Sequence, residues 1–532
     1  MSGFQLNALG VQANALGRHW IRAFILGSAL AVAVMLAGVP AGVVGVSGGA
    51  KGAGGSGRAE VLAASPKQSA ARNQGVGKDY VQVGPNGQYL QLDGKPFIPI
   101  GFNDAVSWGN LLFLYNDMAP EIVQDYFAKL HHYGINTLRI MVSYSQDPSG
   151  QYELEKPLGH FQPEMVALWD QVFKLADKYH IYLILTPWDP FWMSRTWDAN
   201  PWNVKNGGPV QDLSGMLTDP KAIQLEKQEY AFVIDRYGKS KYILAWELAN
   251  EIDLWFRGTR SDSQLADAIR VWTTDMAQFI RDREMQKYGA RHLITISTAN
   301  PDPDGFMGRA IYDNPSLDFV TTHMYYGPVK DPTTPVEAAQ AVQDGMAYQL
   351  YKLGGKKPYL DSESGPIDRW PLSKDEDLPY YHAMVWAAMM SGAAGPGLRW
   401  PYTQSSTLDD DYYTILGAMA KYVQGVPWTT ERWRTVGRDN LSLEDEADLN
   451  AFGLIGREHA VLWFLPQTDK GTQAPSSVTV QGLVAGHYTV EYWDTWKGSI
   501  VRTTPAQATA SGLTLQIPAM AKDLALKVHP AQ

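Results

Sequence analysis

Cysteine is absent from the 532 residues. That excludes disulfides, thiolate zinc sites and a cysteine nucleophile, but it leaves the compartment open, since an exported protein needs no disulfide. Positive charge is scarce: 45 Lys and Arg stand against 55 Asp and Glu, a net charge of -10. Bulk attraction to a polyanion is excluded on that balance, and nucleic acid with it. Charged residues are only 19% and hydrophobic residues 45%, so a large core is expected and disorder over most of the length is not. There is no repeat of solenoid period, and no His cluster with metal-ligand spacing. Neither a metal nor another cofactor is expected. What is abundant is flat aromatic surface, 18 Trp and 27 Tyr, enough to line a groove.

Acidic residues are also missing before Glu60. Arg18 and Arg22 precede an uncharged run from Ala23 to Ala50, densest in apolar residues over Ala23–Val39. A positive segment before an apolar one reads as a secretory signal. The run also approaches the roughly 20 residues that cross a bilayer. Two readings stay open: cleavage near Val39-Pro40-Ala41, or membrane attachment through residues 23–39. Gly42 to Gly57 is a Gly, Ala and Ser-rich linker. Residues 1–59 are thus expected outside the fold, with the remainder exported to the periplasm or beyond.

From about residue 80 to 427, apolar runs of strand length alternate with helical periodicity. Tyr80–Val83 and Tyr89–Leu92 flank Pro85-Asn86-Gly87, a hairpin signal. Strand-like runs follow at Phe97–Gly101, Thr137–Val142, Tyr182–Thr186, Ile243–Trp246, Leu293–Ser297, Phe319–Thr322, Pro358–Leu360 and Gly397–Trp400. The clearest helix, 163–180, opens on Pro163 and carries Met165, Leu168, Trp169, Val172, Leu175, Ala176 and Tyr179 on one face. Eight strand–helix units predict an α/β fold, a (β/α)8 TIM barrel; no Gly-rich phosphate loop follows the first strand to favour an open doubly wound sheet. Over 430–532 the texture becomes short β runs between turns, which predicts a small all-β sandwich domain.

In such a barrel the reactive groups sit at the C-terminal ends of the strands. Strand two ends near Arg139 and strand three runs into Trp188 and Asp189. Strand four gives Trp246-Glu247-Leu248-Ala249-Asn250-Glu251, and strand six gives His323-Met324-Tyr325. Strand seven gives Asp361-Ser362-Glu363-Ser364-Gly365, and strand eight ends at Trp400. Carboxylates from strands four and seven therefore face one cavity, as cleavage of a glycosidic bond requires.

Asn250-Glu251, His323-x-Tyr325 and Glu363-x-Gly365, in that order, resemble the retaining glycoside hydrolases of clan A, most closely family 5 of cellulases and mannanases. The resemblance spans residues 80 to 425. The tail, from Gly486-His487-Tyr488 to Trp496-x-Gly498, is similar to the β-sandwich appended to many such enzymes. Two positions depart from the pattern: Trp188 stands where the family often has His, and Asp361 places a second acid beside Glu363. The resemblance implies Glu251 as acid/base and Glu363 as nucleophile. Arg139 and Tyr325 would hold Glu363 charged, by a cation and by a donated hydrogen bond. Asn250 would donate to the sugar 2-hydroxyl, His323 would bond substrate or Glu251, and Trp400 would stack under the reacting sugar. Glu247 and Asp361 are expected as supporting acids, and Asp409-Asp410-Asp411 as the start of a helix.

The segment after strand three carries Trp188, Phe191, Trp192, Trp197 and Trp202, joined by Trp255 and Phe256. These rings either line a sugar-binding cleft, Trp188 among its substrate contacts, or pack on one another as a lid. The expected activity is hydrolysis of β-linked polysaccharide: β-glucan, β-mannan or a bacterial exopolysaccharide. A transglycosylase remodelling an exopolysaccharide and a non-catalytic carbohydrate-binding protein are the alternatives.

Overall fold

The computed structural model describes residues 72–105, 120–143, 149–150, 153–255, 262–326, 333–366, 373–400, 408–443, 449–467 and 474–531. The expected export segment, 1–59, lies outside the described residues, as does Phe256. Among the described residues no helix is long and apolar enough to cross a membrane.

Three short strands, β1 (Gln82–Val83), β2 (Leu90–Leu92) and β3 (Lys95–Phe97), form an antiparallel sheet around the expected hairpin. Eight parallel strands follow: β4 (Gly101–Ala105), β5 (Thr137–Met141), β6 (Tyr182–Thr186), β7 (Ile243–Glu247), β8 (Leu293–Thr295), β9 (Val320–Tyr326), β10 (Tyr359–Pro366) and β11 (Leu398–Arg399). Their order is β8-β7-β6-β5-β4-β11-β10-β9. Backbone bonds from Asp318 N, just before β9, to Ile294 O of β8 (2.8 Å) and from His323 N of β9 to Thr298 O, just after β8, (3.0 Å) close the gap between the two end strands. The sheet is a (β/α)8 barrel. Every residue of β5, β6 and β7 is buried, because barrel strands are covered on both faces.

The first barrel strand corrects the sequence reading. Phe97–Gly101 was expected, but Phe97 ends β3 and the barrel begins at Gly101. Pro99 has no N–H to donate. Across this segment the Asn136 side chain donates to Ile98 O and accepts from Ile100 N, both at 2.9 Å. Gly101 is required where β4 meets β5: a Cβ there would lie 1.6 Å from Thr137 O.

The helix Pro163–Tyr179 buries the expected face, with Tyr179 only half-buried and Phe173 added, stacked on Tyr237 at 4.1 Å. Asp409 precedes the helix Asp410–Tyr422, but its side chain caps no backbone N–H; Asp410 pairs with Lys129 (2.7 Å) and Asp411 with Lys374 (2.9 Å).

Beyond residue 430 lie β12 (Arg434–Thr435), β13 (Leu441–Leu443), β14 (Leu449–Ile455), β15 (Ala460–Pro466), β16 (Ser476–Val480), β17 (Gly486–Asp494), β18 (Ser499–Ala508), β19 (Leu513–Ile517) and β20 (Leu524–Pro530). They form two antiparallel sheets, β12-β14-β15-β20-β17-β18 and β13-β16-β19. Strand β15 shows why this region reads as unbroken apolar runs. Leu462 and Phe464 face the core between the sheets, while Val461 and Trp463 face the barrel's core. At that junction buried Asp523 accepts from His382 Nε2 (2.8 Å), Trp463 Nε1 (2.6 Å) and Trp496 Nε1 (2.9 Å). Burial would raise the Asp523 carboxyl, but the His382 partner and these donors bring it down to about 2. The β region is therefore packed onto the barrel, and its tryptophans at this junction are used there.

Candidate active site

Arg139, fully buried on β5, organises the barrel mouth. Its Nε and Nη2 form a fork with Glu247 at 2.7 and 2.6 Å. Nη1 donates to Asn103 Oδ1 (2.7 Å) and to Glu363 Oε2 (2.8 Å), and Nη2 donates also to Asn250 Oδ1 (2.6 Å). A guanidinium has five N–H donors in a fixed fork, and here all five are used. Burial alone would raise Glu247, but the charge and hydrogen bonds of Arg139 outweigh it and hold that carboxyl below its ordinary range. Glu247 is thus the supporting partner expected of it.

Glu363 is turned into the mouth by an irregularity in β10. Asp361 pairs with Thr322 and Glu363 with His323, so an extra residue is accommodated between them. A bulge of this kind re-aims a side chain. Tyr325 Oη donates to Glu363 Oε1 at 2.8 Å, opposite Arg139 on Oε2. Burial pushes the Glu363 carboxyl above its ordinary value, while Arg139 and Tyr325 pull against that. Asp361 is spent on the backbone, accepting from Met324 N at 3.3 Å, and burial raises it well above its ordinary range.

Glu251 has a left-handed backbone, φ 43° and ψ 56°, unusual for a residue with a Cβ. Its N–H donates to Ser297 Oγ (3.1 Å), and Ile252 N donates to Ser297 O (3.0 Å), which fixes the turn. Strain of this kind costs on the order of 1–3 kcal/mol and persists where surroundings impose it. His323 Nδ1 lies 2.9 Å from Glu251 Oε1 and 3.7 Å from Glu363 Oε2. Burial lowers His323 to about 4, so the ring is neutral at pH 7. Ligand-type atoms of Glu251, His323 and Glu363 all lie within 4.8 Å of one another. Arg139 already supplies positive charge against Glu363 there, which argues for a site that moves protons and against one built for a metal.

The other expected residues fall into two groups. Asn250 joins the cluster. Trp400, half-buried, packs with Trp192 against Met141 beside the mouth. Trp188 is a correction: its ring is 2% exposed, its Nε1 donates to Glu229 (3.0 Å), and Trp202, Tyr230 and Trp255 meet it edge to face. A ring enclosed on all sides offers no face to a sugar, so much of the aromatic segment packs on itself. Asn103 and Ser297 were missed, and Asp189 was placed at the end of strand three without a role. Asn103 stands beside Arg139 in register, a polar residue inside a strand, and that was the signal available.

A family model described as cellulase (glycosyl hydrolase family 5) matches residues 90–370, more than half of the chain. The chain belongs to glycosyl hydrolase family 5. A solved glycoside hydrolase superposes on this family 5 enzyme with a TM-score of 0.55 at 14% identity, covering 85% of this chain and 97% of the other. A family 5 glycoside hydrolase from Bacteroides vulgatus ATCC 8482 gives 0.53 at 14% identity, covering 85% and 94%. At that identity the likeness is one of fold. No curated protein matches the chain. The family makes this protein a glycoside hydrolase.

Proposed function

We propose that this glycoside hydrolase cleaves β-glycosidic bonds of a polysaccharide by double displacement with net retention. The observation that carries the reading is the approach of Glu251 and Glu363, one carboxylate oxygen of each lying within 4.8 Å of the other. Retaining pairs stand roughly 5–5.5 Å apart and inverting pairs roughly 6.5–9.5 Å, room for an intervening water. Glu363, held by Arg139 and Tyr325, attacks the anomeric carbon. Glu251 protonates the departing oxygen and then takes a proton from water. Neutral His323 serves Glu251 in both states: its Nδ1–H donates to the carboxylate, or its bare Nδ1 accepts from the acid. The second N–H of Asn250 serves the sugar 2-hydroxyl, and the rings of Trp400 and Trp192 offer a platform for the pyranose. We also propose that the enzyme acts outside the cytoplasm, on the strength of the apolar run 23–39.

The test is product analysis on β-mannan, β-glucan, xylan and bacterial exopolysaccharides. New reducing ends from at least one β-linked polymer are expected. Products longer than the substrate would assign the protein to transglycosylation, and cleavage confined to α-linked polymers would overturn the reading.

A further inference from the structure

Asn250 is held from both sides. Its carbonyl oxygen accepts from Arg139 Nη2 at 2.6 Å, and its Nδ2 donates to Asp189 Oδ1 at 2.9 Å. Its backbone N–H donates to Trp188 O at 3.1 Å, which ties the end of strand four to the end of strand three. An amide rotated by half a turn would place an NH2 against a guanidinium and an oxygen against a carboxylate. Both contacts repel, so only the observed orientation is stable. Asp189 is itself fixed: it is 3% exposed, and Oδ1 also accepts from Phe191 N (3.0 Å) at the start of the helix Pro190–Arg195. Burial raises the Asp189 carboxyl to about 6, against the bonds from Asn250 and Phe191, which leaves it ionised and acceptor-only at pH 7. One N–H of Asn250 is left over, and its direction follows from the other three contacts.

We infer that Asp189 is a positioning residue for the reaction, fixing the amide of Asn250 so that its remaining N–H meets the 2-hydroxyl of the reacting sugar. This rests on the proposed function, in which Asn250 makes that contact. Asp189 touches no reacting atom in this account. The contact strengthens as the oxocarbenium ion develops, so misdirecting it weakens transition-state binding more than ground-state binding. The effect belongs in kcat, with KM moving less.

The experiment is a cycle of Asp189→Ala, Asn250→Ala and the double variant in the full chain. The probes are 2,4-dinitrophenyl β-cellobioside or β-mannobioside, whichever the wild type turns over, and the matching 2-deoxy glycoside. Asp189→Ala should lower kcat on the hydroxylated probe roughly tenfold to hundredfold, the scale of a small misplacement. It should lower kcat little further once Asn250 is Ala, and it should barely change the 2-deoxy probe. Asp189→Asn, whose Oδ1 can still accept both bonds, should recover most of the loss. Losses that multiply in the double variant, or an equal loss on the 2-deoxy probe, would overturn the inference. If Glu363→Ala is inactive on these probes while the cycle is additive, only this inference fails. If Glu363→Ala stays active on them, the proposed function itself has failed.

Discussion

Glu363→Ala is expected to abolish turnover on every glycoside tested, and Glu251→Ala to lose it selectively. Without Glu363 no glycosyl-enzyme can form, because Arg139 and Tyr325 are left holding nothing that can attack the anomeric carbon. Without Glu251 the attack survives, and what is lost is the proton for the leaving oxygen and the later base. General acid–base assistance contributes roughly 10²–10⁴-fold, so natural linkages should slow by that factor. A dinitrophenyl leaving group needs no proton and should retain fast first-step chemistry. Azide should then accelerate release of the intermediate by replacing the activated water. Steady-state kinetics on both leaving-group classes, with and without azide, reads this directly. Appreciable activity in Glu363→Ala with none in Asp361→Ala would move the nucleophile to Asp361. The backbone bonds to Asp361 and its raised carboxyl argue against that.

The second large effect is expected at Arg139. Arg139→Met should destabilise the fold by about 3–5 kcal/mol at pH 7, because it strands buried Glu247 without a counter-charge. Arg139→Lys should not rescue it, since one ammonium cannot reproduce a fork that reaches Glu247, Glu363, Asn103 and Asn250. The sign with pH follows from Glu247. Its folded-state carboxyl lies below the ordinary 4.5, so its pairing stabilises the fold above that pH and the benefit fades as pH falls through the lowered value. The deficit of Arg139→Met should therefore be largest near neutrality and shrink in acid, where a neutral Glu247 is cheaper to bury. Denaturant unfolding at pH 7 and pH 4 measures it. In the surviving folded fraction Glu363 loses a charge that opposes the effect of burial, so the acid limb of kcat/KM should move to higher pH. A constant deficit across pH, or an unmoved acid limb, would show that Arg139 does not set the charge of this cluster.

Much of this site was legible because barrel geometry converts strand order into position. Runs such as Tyr182–Leu185 are hydrophobic throughout, which marks a strand covered on both faces, and the reactive residues come just after such runs. Glu251, His323, Tyr325 and Glu363 could be read that way: the first, second and last cluster at the mouth, and Tyr325 donates to Glu363. The first strand was misread for the converse reason. Its working residue Asn103 is polar and lies inside the strand beside a second polar residue, Asp104, where an apolar run was sought. The roles of Asp189 and Ser297 escaped because each holds another residue, Asn250 and Glu251, through contacts between strand ends distant in sequence. Trp188 misled because an aromatic ring at a strand end is consistent with a platform and with packing alike. Only its burial and its bond to Glu229 distinguish the two. Neither the bulge before Glu363 nor the left-handed turn at Glu251 has a local sequence signal, since neither site carries Gly.

The central claim is that Glu251 and Glu363 act as one retaining pair, and the configuration of the first-formed product tests it most directly. With one oxygen of each carboxylate within 4.8 Å of the other, the pair stands near the retaining spacing and short of the wider one that leaves room for a water on the face opposite the leaving group. In the proposed mechanism attack comes from Glu363, and water enters afterwards from the face the leaving group vacated. Two inversions leave the anomeric centre as it began. Proton NMR of the anomeric signals in the first minutes of hydrolysis, before mutarotation, should show the β-anomer accumulating from a β-linked substrate. An α-anomer appearing first would require a wider, inverting pair and would contradict the assignment of both carboxylates.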